Sequence, residues 1–227
     1  MNNLYEKTFF NSKGCKINTN IVQINEADIE ILKEFIMTQF QLLTIKDYFI
    51  IDDIDTELPE ILRDSNSYMI GVVYNNSLIA IQALDFNERI NKLFCSILKV
   101  NKQIGEMGWT LVDKDYYGFK ISRYLIKKIE FFAVRSFDEK ILISTVHPNN
   151  IPALKLYLSL GYYGVKLNNL FSLDRIICVK NTKYDLWHNK IIIETTNERQ
   201  LSQYLNNNYV LIDIIKLDSK YFYVLVK

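Results

Sequence analysis

The chain has 227 residues and a formal net charge of +1, with 49% apolar and 23% charged residues. That is long enough to bury a full core, as one domain with an appendage or two small ones. The near-zero charge gives no broad field for nucleic acid or anionic lipid. Three scattered cysteines (Cys15, Cys95 and Cys178) and two histidines hold no metal-ligand spacing, so neither a zinc site nor a disulfide framework is expected. No apolar stretch reaches the length of a membrane span, and the N-terminus has no apolar leader core. A soluble, cytoplasmic protein in a reducing compartment is expected.

Residues 1–20 are polar and give no assignment. Ile21–Ile24 is a short strand candidate. Asn25 is the N-cap of a helix, with Asp28 at its third position and Ile29, Leu32, Phe35, Ile36 and Phe40 on one face. A second helical region lies between Lys46 and Arg63, interrupted near Pro59. Its acidic run, Asp52 to Glu57, has two readings, an acceptor-binding or metal rim and a solvated loop.

Ser67–Tyr74 and Ser77–Leu84 flank Asn75-Asn76, the signature of a tight β-hairpin. Ile90, Leu93, Phe94, Ile97 and Leu98 recur at helical spacing and predict a helix over 88–100. Glu106–Val112 is the next strand and Asp113–Tyr117 a turn. Gly118–Arg135 is a helix with Ile121, Leu125, Ile129 and Phe132 inward.

The run Ile141–Val146 is a strand that ends at His147-Pro148. Asn150-Ile-Pro-Ala-Leu-Lys-Leu-Tyr-Leu-Ser-Leu-Gly-Tyr162 follows. Here Pro152 fits the first helical turn and Gly161 stops the helix. Ala153, Leu156, Tyr157 and Leu160 share a face, which predicts a phenol on the inner side of a helix beside a strand end, within a ligand's reach.

After Lys180 the chain begins again. Lys190–Glu194 is a strand, and Thr196 or Asn197 caps a short helix through Leu205. Tyr209–Leu217 and Tyr221–Val226 are strands around Asp218-Ser219. This β-α-β-β unit is small for an independent core and is expected to pack on the main domain or on another subunit. His188 beside Trp187 reads as a solvated linker residue rather than a base.

The Asn150–Tyr162 run resembles the last motif of the GNAT superfamily of acyl-CoA-dependent N-acyltransferases, Asn-x-x-Ala-x-x-Leu-Tyr-x-x-x-Gly-Phe. Asn150, Ala153, Leu156, Tyr157 and Gly161 match, and Tyr162 replaces Phe. An amphipathic helix with a buried tyrosine carries the same pattern. The element order from Ile21 to Lys180 is also similar to that family's, with one extra helix before the fourth strand. The resemblance implies an α/β (α+β) fold, a mixed central sheet flanked by helices. Residues 1–180 would be the N-acyltransferase domain and residues 181–227 a small C-terminal appendage, with homodimerisation as one use of it.

The family's second motif, Gln/Arg-x-x-Gly-x-Gly/Ala, binds the acyl-CoA pyrophosphate through backbone amides at a helix start. The corresponding loop here is Tyr117, Gly118, Phe119, Lys120, Ile121, Ser122 and Arg123. Tyr117 stands at the Gln/Arg position, Lys120 at the central Gly and Ser122 at the final Gly/Ala. Two readings of Lys120 compete: a partner for phosphate, or a side chain that obstructs close approach. Arg123 adds a phosphate partner.

The resemblance further implies that Leu111, Val112 and Asp113 bind the pantetheine arm as an added strand. Asn150 would contact the co-substrate near its thioester, and Tyr157 would protonate the departing thiolate. Glu106 is the candidate base for the acceptor amine, unless a bulge in its strand turns it to the other face. The Leu111 or Val112 amide is the candidate oxyanion donor. The implied reaction moves an acetyl (acyl) group from acetyl-CoA or another acyl-CoA to the primary amine of a small molecule or peptide, by direct attack. The alternative is a degenerate domain of the same family, serving as a binding or regulatory module.

Overall fold

The computed structural model describes residues 1–43, 54–136, 141–170, 172–180 and 189–227. The expected α/β class holds, a mixed α/β protein whose sheet strands carry helices. The described residues form two compact units, residues 1–43 with 54–136, and those from residue 141 onward.

The first unit opens with β1 (Asn2–Phe10) and β2 (Lys16–Gln23), an antiparallel pair; β1 and the first part of β2 lie in the stretch that the sequence left unassigned, and Ile21–Gln23 are strand as expected. Its alternation is weak because β1 buries little. Phe9 is in the core, whereas Leu4 and Phe10 are exposed. After β2, Asn25 starts a 3-10 turn, and Asp28 accepts its backbone N–H at 2.9 Å. The turn runs into α1 (Ile29–Leu42), which buries Leu32, Phe35 and Ile36 as expected.

α2 (Ile54–Arg63) contains Pro59 within the helix rather than at a break. Asp52 and Asp53 of the acidic run lie outside the described residues. Asp55 pairs with Lys33 at 2.7 Å and Glu57 with Arg89 at 2.9 Å. The described part of that run is thus tied to neighbouring helices. Among the described residues no cluster of acidic, His and Cys side chains could hold a metal ion.

β3 (Tyr68–Tyr74) and β4 (Ser77–Asp85) form the hairpin. Asn75 and Asn76 both take positive φ (48° and 63°), the conformation that a right-twisted two-residue turn requires. α3 (Glu88–Leu98) is the inserted helix, capped by Asn87, whose side chain accepts from Arg89 N at 2.7 Å. β5 (Ile104–Val112) follows, then α4 (Ile121–Ser136). The unit's strand order is β1-β2-β3-β4-β5. α4 buries Ile121, Leu125 and Ile129 as expected, together with Ile126 and Ala133. Phe132 is less deep and stacks on Tyr68 at 4.2 Å.

The second unit contains β6 (Ile141–Val146), α5 (Ile151–Ser159), β7 (Tyr162–Leu170), β8 (Leu173–Lys180), β9 (Lys190–Glu194), α6 (Glu198–Asn206), β10 (Val210–Leu217) and β11 (Lys220–Val226). Its strand order is β6-β8-β7-β10-β11-β9. Residues 190–227 take the expected β-α-β-β form, and Asn197 is the cap of α6, accepting from Gln200 N at 3.0 Å. β10 meets β7 where Leu211 faces Gly164. A Cβ on Gly164 would stand 2.9 Å from the Leu211 Cβ, so glycine permits the contact. His188 and Trp187 lie outside the described residues.

Candidate active site

In the first unit the candidate residues lie along β5 and the loop after it. The β4–β5 register runs Asp85↔Glu106, Leu84↔Met107 and Ala83↔Gly108, then resumes at Ile81↔Leu111 and Ala80↔Val112. Gln82 alone on β4 therefore spans Trp109 and Thr110 on β5. This is a β-bulge, and Trp109 takes the φ of +53° that it demands.

The broken ladder is repaired by a side chain. Gln82 is fully buried, and its Nε2 donates to Gly108 O at 2.8 Å and Ala83 O at 3.0 Å. Its Oε1 accepts from the Thr110 hydroxyl at 2.5 Å. All three bonds lie at the bulge and give polar groups beside it a partner. The sequence holds a signal for this residue, a lone amide inside the apolar run Ile79–Leu84, but sequence reasoning passed over it.

Glu106 is half-buried, on the N-terminal side of the bulge. Opposite it, Asp85 is nearly buried. Its carboxylate accepts from the Ser67 hydroxyl at 3.1 Å and from Asn87 N at 2.8 Å. Burial pushes the Asp85 pKa above its ordinary value, and Asp64 and Glu60 add to the rise. The bonds from Asn87 and Ser67 act against it.

Past the bulge, Leu111 is buried, while Val112 and Asp113 are half-buried. Asp113 N donates to Ile79 O at 2.8 Å, and the Asp113 carboxylate caps a 3-10 turn at Lys114–Tyr116 through Asp115 N at 3.0 Å. The helix expected from Gly118 begins three residues later, at Ile121. The cause is backbone geometry: Gly118 has φ +85° and Lys120 φ +60°, and neither continues a right-handed helix.

The loop is anchored by Phe119, which is buried, while Tyr117 is 65% exposed. A Cβ at Gly118 would meet nothing within 4 Å, so this glycine answers a backbone conformation and not crowding. Lys120 holds a left-handed conformation that glycine would adopt more easily, and its side chain is exposed. Tyr124 N donates to Lys120 O at 3.2 Å, closing the first turn of α4. The Ile121 side chain is in the core, so only its backbone can serve an anion. Ser122 and Arg123 are half-buried.

In the second unit the candidates lie on α5. The turn after β6 is closed by Asn150 N donating to His147 O at 2.9 Å, and Asn149 N donates to His147 Nδ1 at 3.1 Å. Asn150 caps α5: its side-chain oxygen accepts from Ala153 N at 3.2 Å. The motif asparagine thus has a definite structural duty at the helix start.

Tyr157 is 3% exposed and packs edge-on against Tyr162, with ring centres 5.1 Å apart. The inward face of α5 is Leu154, Tyr157 and Leu158. Ala153 and Leu156, expected inside, are half-buried. Gly161 ends the helix at φ +82°, as expected. Sequence reasoning also missed Tyr223, whose hydroxyl donates to Pro148 O at 2.8 Å.

No helix among the described residues is long and apolar enough to cross a membrane. No curated protein matches the sequence. The model of the acetyltransferase (GNAT) family matches residues 30–162. A probable acetyltransferase from Staphylococcus epidermidis is similar at 16% identity and TM-score 0.55, over 73% of this chain and 99% of that one. An Arabidopsis thaliana structure, NAA60 in complex with a bisubstrate analogue, is similar at 16% identity and TM-score 0.53, over 71% and 98%. An uncharacterized Bacillus halodurans protein is similar at 11% identity and TM-score 0.56, over 91% and 100%. At these identities the structural likeness is one of fold, and it agrees with the family match. The chain belongs to the GNAT acetyltransferase family.

Proposed function

We propose that this protein transfers an acyl group, acetyl by preference, from acyl-CoA to a primary amine of a small molecule or peptide. The observation that carries this reading is the loop Tyr117–Arg123. It is the loop read as the counterpart of the family's pyrophosphate motif, and it turns through two left-handed residues, Gly118 and Lys120, into the start of α4. Such a turn presents first-turn amides, and the helix's positive end favours an anion. The residues present therefore fit the group, with Arg123 as a side-chain partner for phosphate. Bound acyl-CoA supplies an activated thioester.

In this reading Leu111, Val112 and Asp113 hold the pantetheine arm by backbone bonds, and the Leu111 or Val112 amide donates to the oxyanion. Glu106 takes the proton from the acceptor amine, directly or through water. Asn150 orients the thioester end, and the Tyr157 hydroxyl gives its proton to the departing thiolate. Attack is direct; the buried Cys178 thiol, pushed up to about 12 by burial, is a poor nucleophile for a covalent route. Residues 1–180 form the acyltransferase domain and residues 181–227 its appendage. The three free cysteines suit the reducing cytoplasm.

The test is release of CoA thiol from acetyl-CoA with a panel of primary amines. Wild type should release thiol only with an acceptor present. Tyr157→Phe should lose about a hundredfold or more in kcat while still binding acetyl-CoA. Equal turnover by Tyr157→Phe would remove the tyrosine from the mechanism. A second reading, a degenerate binding module, is favoured by the lysine at the left-handed position 120. It predicts no thiol release with any amine, in wild type and in Lys120→Gly alike.

A further inference from the structure

We infer that the C-terminal strands are the cradle of the Tyr157 helix, and that Tyr223 on β11 is a positioning residue for acyl transfer. The inference rests on the acyltransferase reading above. All of its observations lie within the second unit.

The turn His147–Asn150 sets where α5 begins, because its last residue is the helix cap. Inside that turn the Pro148 carbonyl is buried and accepts from the Tyr223 hydroxyl at 2.8 Å. Tyr223 is fully buried in the strand between β9 and β10. A buried carbonyl deprived of its donor has two ways out: it stays unsatisfied, or the turn moves toward another partner. The second response shifts Asn150 and rotates the helix that carries Tyr157.

Two further contacts hold α5 along its length. Lys155 places its ammonium 5.0 Å from the centre of the Tyr221 ring, also on β11. Lys180, at the end of β8, donates to the Leu160 carbonyl at the helix C-terminus. The helix is thus gripped at its N-terminal turn and along its side by β11, and at its C-terminus by β8. Residues 190–227 have no motif for chemistry, yet they touch the motif helix at the point that sets its register.

A shift of about 1 Å in a reacting group can cost orders of magnitude in rate. Tyr223→Phe removes one hydroxyl and keeps the ring in the core. Assayed well below its melting temperature by acetyl-CoA-dependent thiol release, Tyr223→Phe should lose about tenfold or more in kcat/KM. Tyr204→Phe, the same deletion on α6 with its ring retained, should match wild type. Because unfolding is negligible under these conditions, a purely structural role would leave kcat and KM of both variants at wild-type values. That result would overturn the inference while leaving the acyltransferase reading intact. A wild type that releases no thiol with any amine would overturn both. Should Tyr223→Phe not fold, Lys155→Met decides: a lowered kcat/KM with a folded protein supports the cradle, and unchanged kinetics overturns it.

Discussion

Lys120 shows how one backbone angle can reshape the reading of a motif. From the sequence it is a mismatch, lysine where the family has glycine. In the structure it keeps glycine's conformation, at φ +60°. The left-handed region disfavours a Cβ, so Lys120→Gly relieves strain but also loosens the unfolded chain. The net expectation is a stabilisation of about 0.5–1 kcal/mol, read as a higher Tm. A lower Tm would mean that the lysine side chain contributes more than its conformation costs. Asp85 gives a second residue-scale prediction. Burial, then Asp64 and Glu60, raise its folded-state pKa above the ordinary value. The folded state therefore favours the protonated form. That contribution is complete below the ordinary carboxyl pKa and is lost as pH rises through the raised value. Asp85→Asn keeps an oxygen for Ser67 and Asn87, so it should raise Tm by a few degrees at neutral pH and by less in acid. A gain that grew toward acid pH would contradict the sign. Neither effect was legible in the sequence, because φ and burial belong to the folded chain.

Elements with strong local signals were legible. Asn75-Asn76 announced its hairpin, Asn197 its helix, and Gly161 a helix end. β1 was not legible, because an edge strand with little burial shows little alternation. The bulge at Trp109 was raised only as a condition on Glu106, since a register shift depends on the partner strand. Its stability rests on Gln82, whose three bonds tie Gly108, Thr110 and Ala83. Gln82→Met has nearly the same shape and removes all three bonds. It should destabilise the protein by about 1–3 kcal/mol, measured by urea denaturation. It should also weaken acyl-CoA binding if β5 holds the pantetheine arm. An unchanged denaturation midpoint would show that the bulge holds its shape without the amide.

At the scale of the whole molecule the α/β class was legible in the element order, and the family in thirteen residues around Tyr157. The two compact units were not, because contact density has no local sequence mark. Their division falls between α4 and β6, whereas the sequence reading placed a boundary after Lys180. Leu211, Tyr223 and Leu225 in the C-terminal strands are fully buried. A chain ending at Lys180 should therefore expose the β7 edge and the β10-facing side of α5. It is expected to aggregate or to lose cooperative melting, and a soluble, sharply melting product would show that residues 181–227 are dispensable for folding. The central claim, acyl-CoA use through the Tyr117–Arg123 loop, is tested most directly by titration calorimetry of the full chain with acetyl-CoA, wild type beside Arg123→Ala. Saturable one-site binding, weakened about tenfold by loss of a charged phosphate contact, is the predicted result. No binding by wild type at saturating acetyl-CoA, or equal binding by the variant, would contradict it.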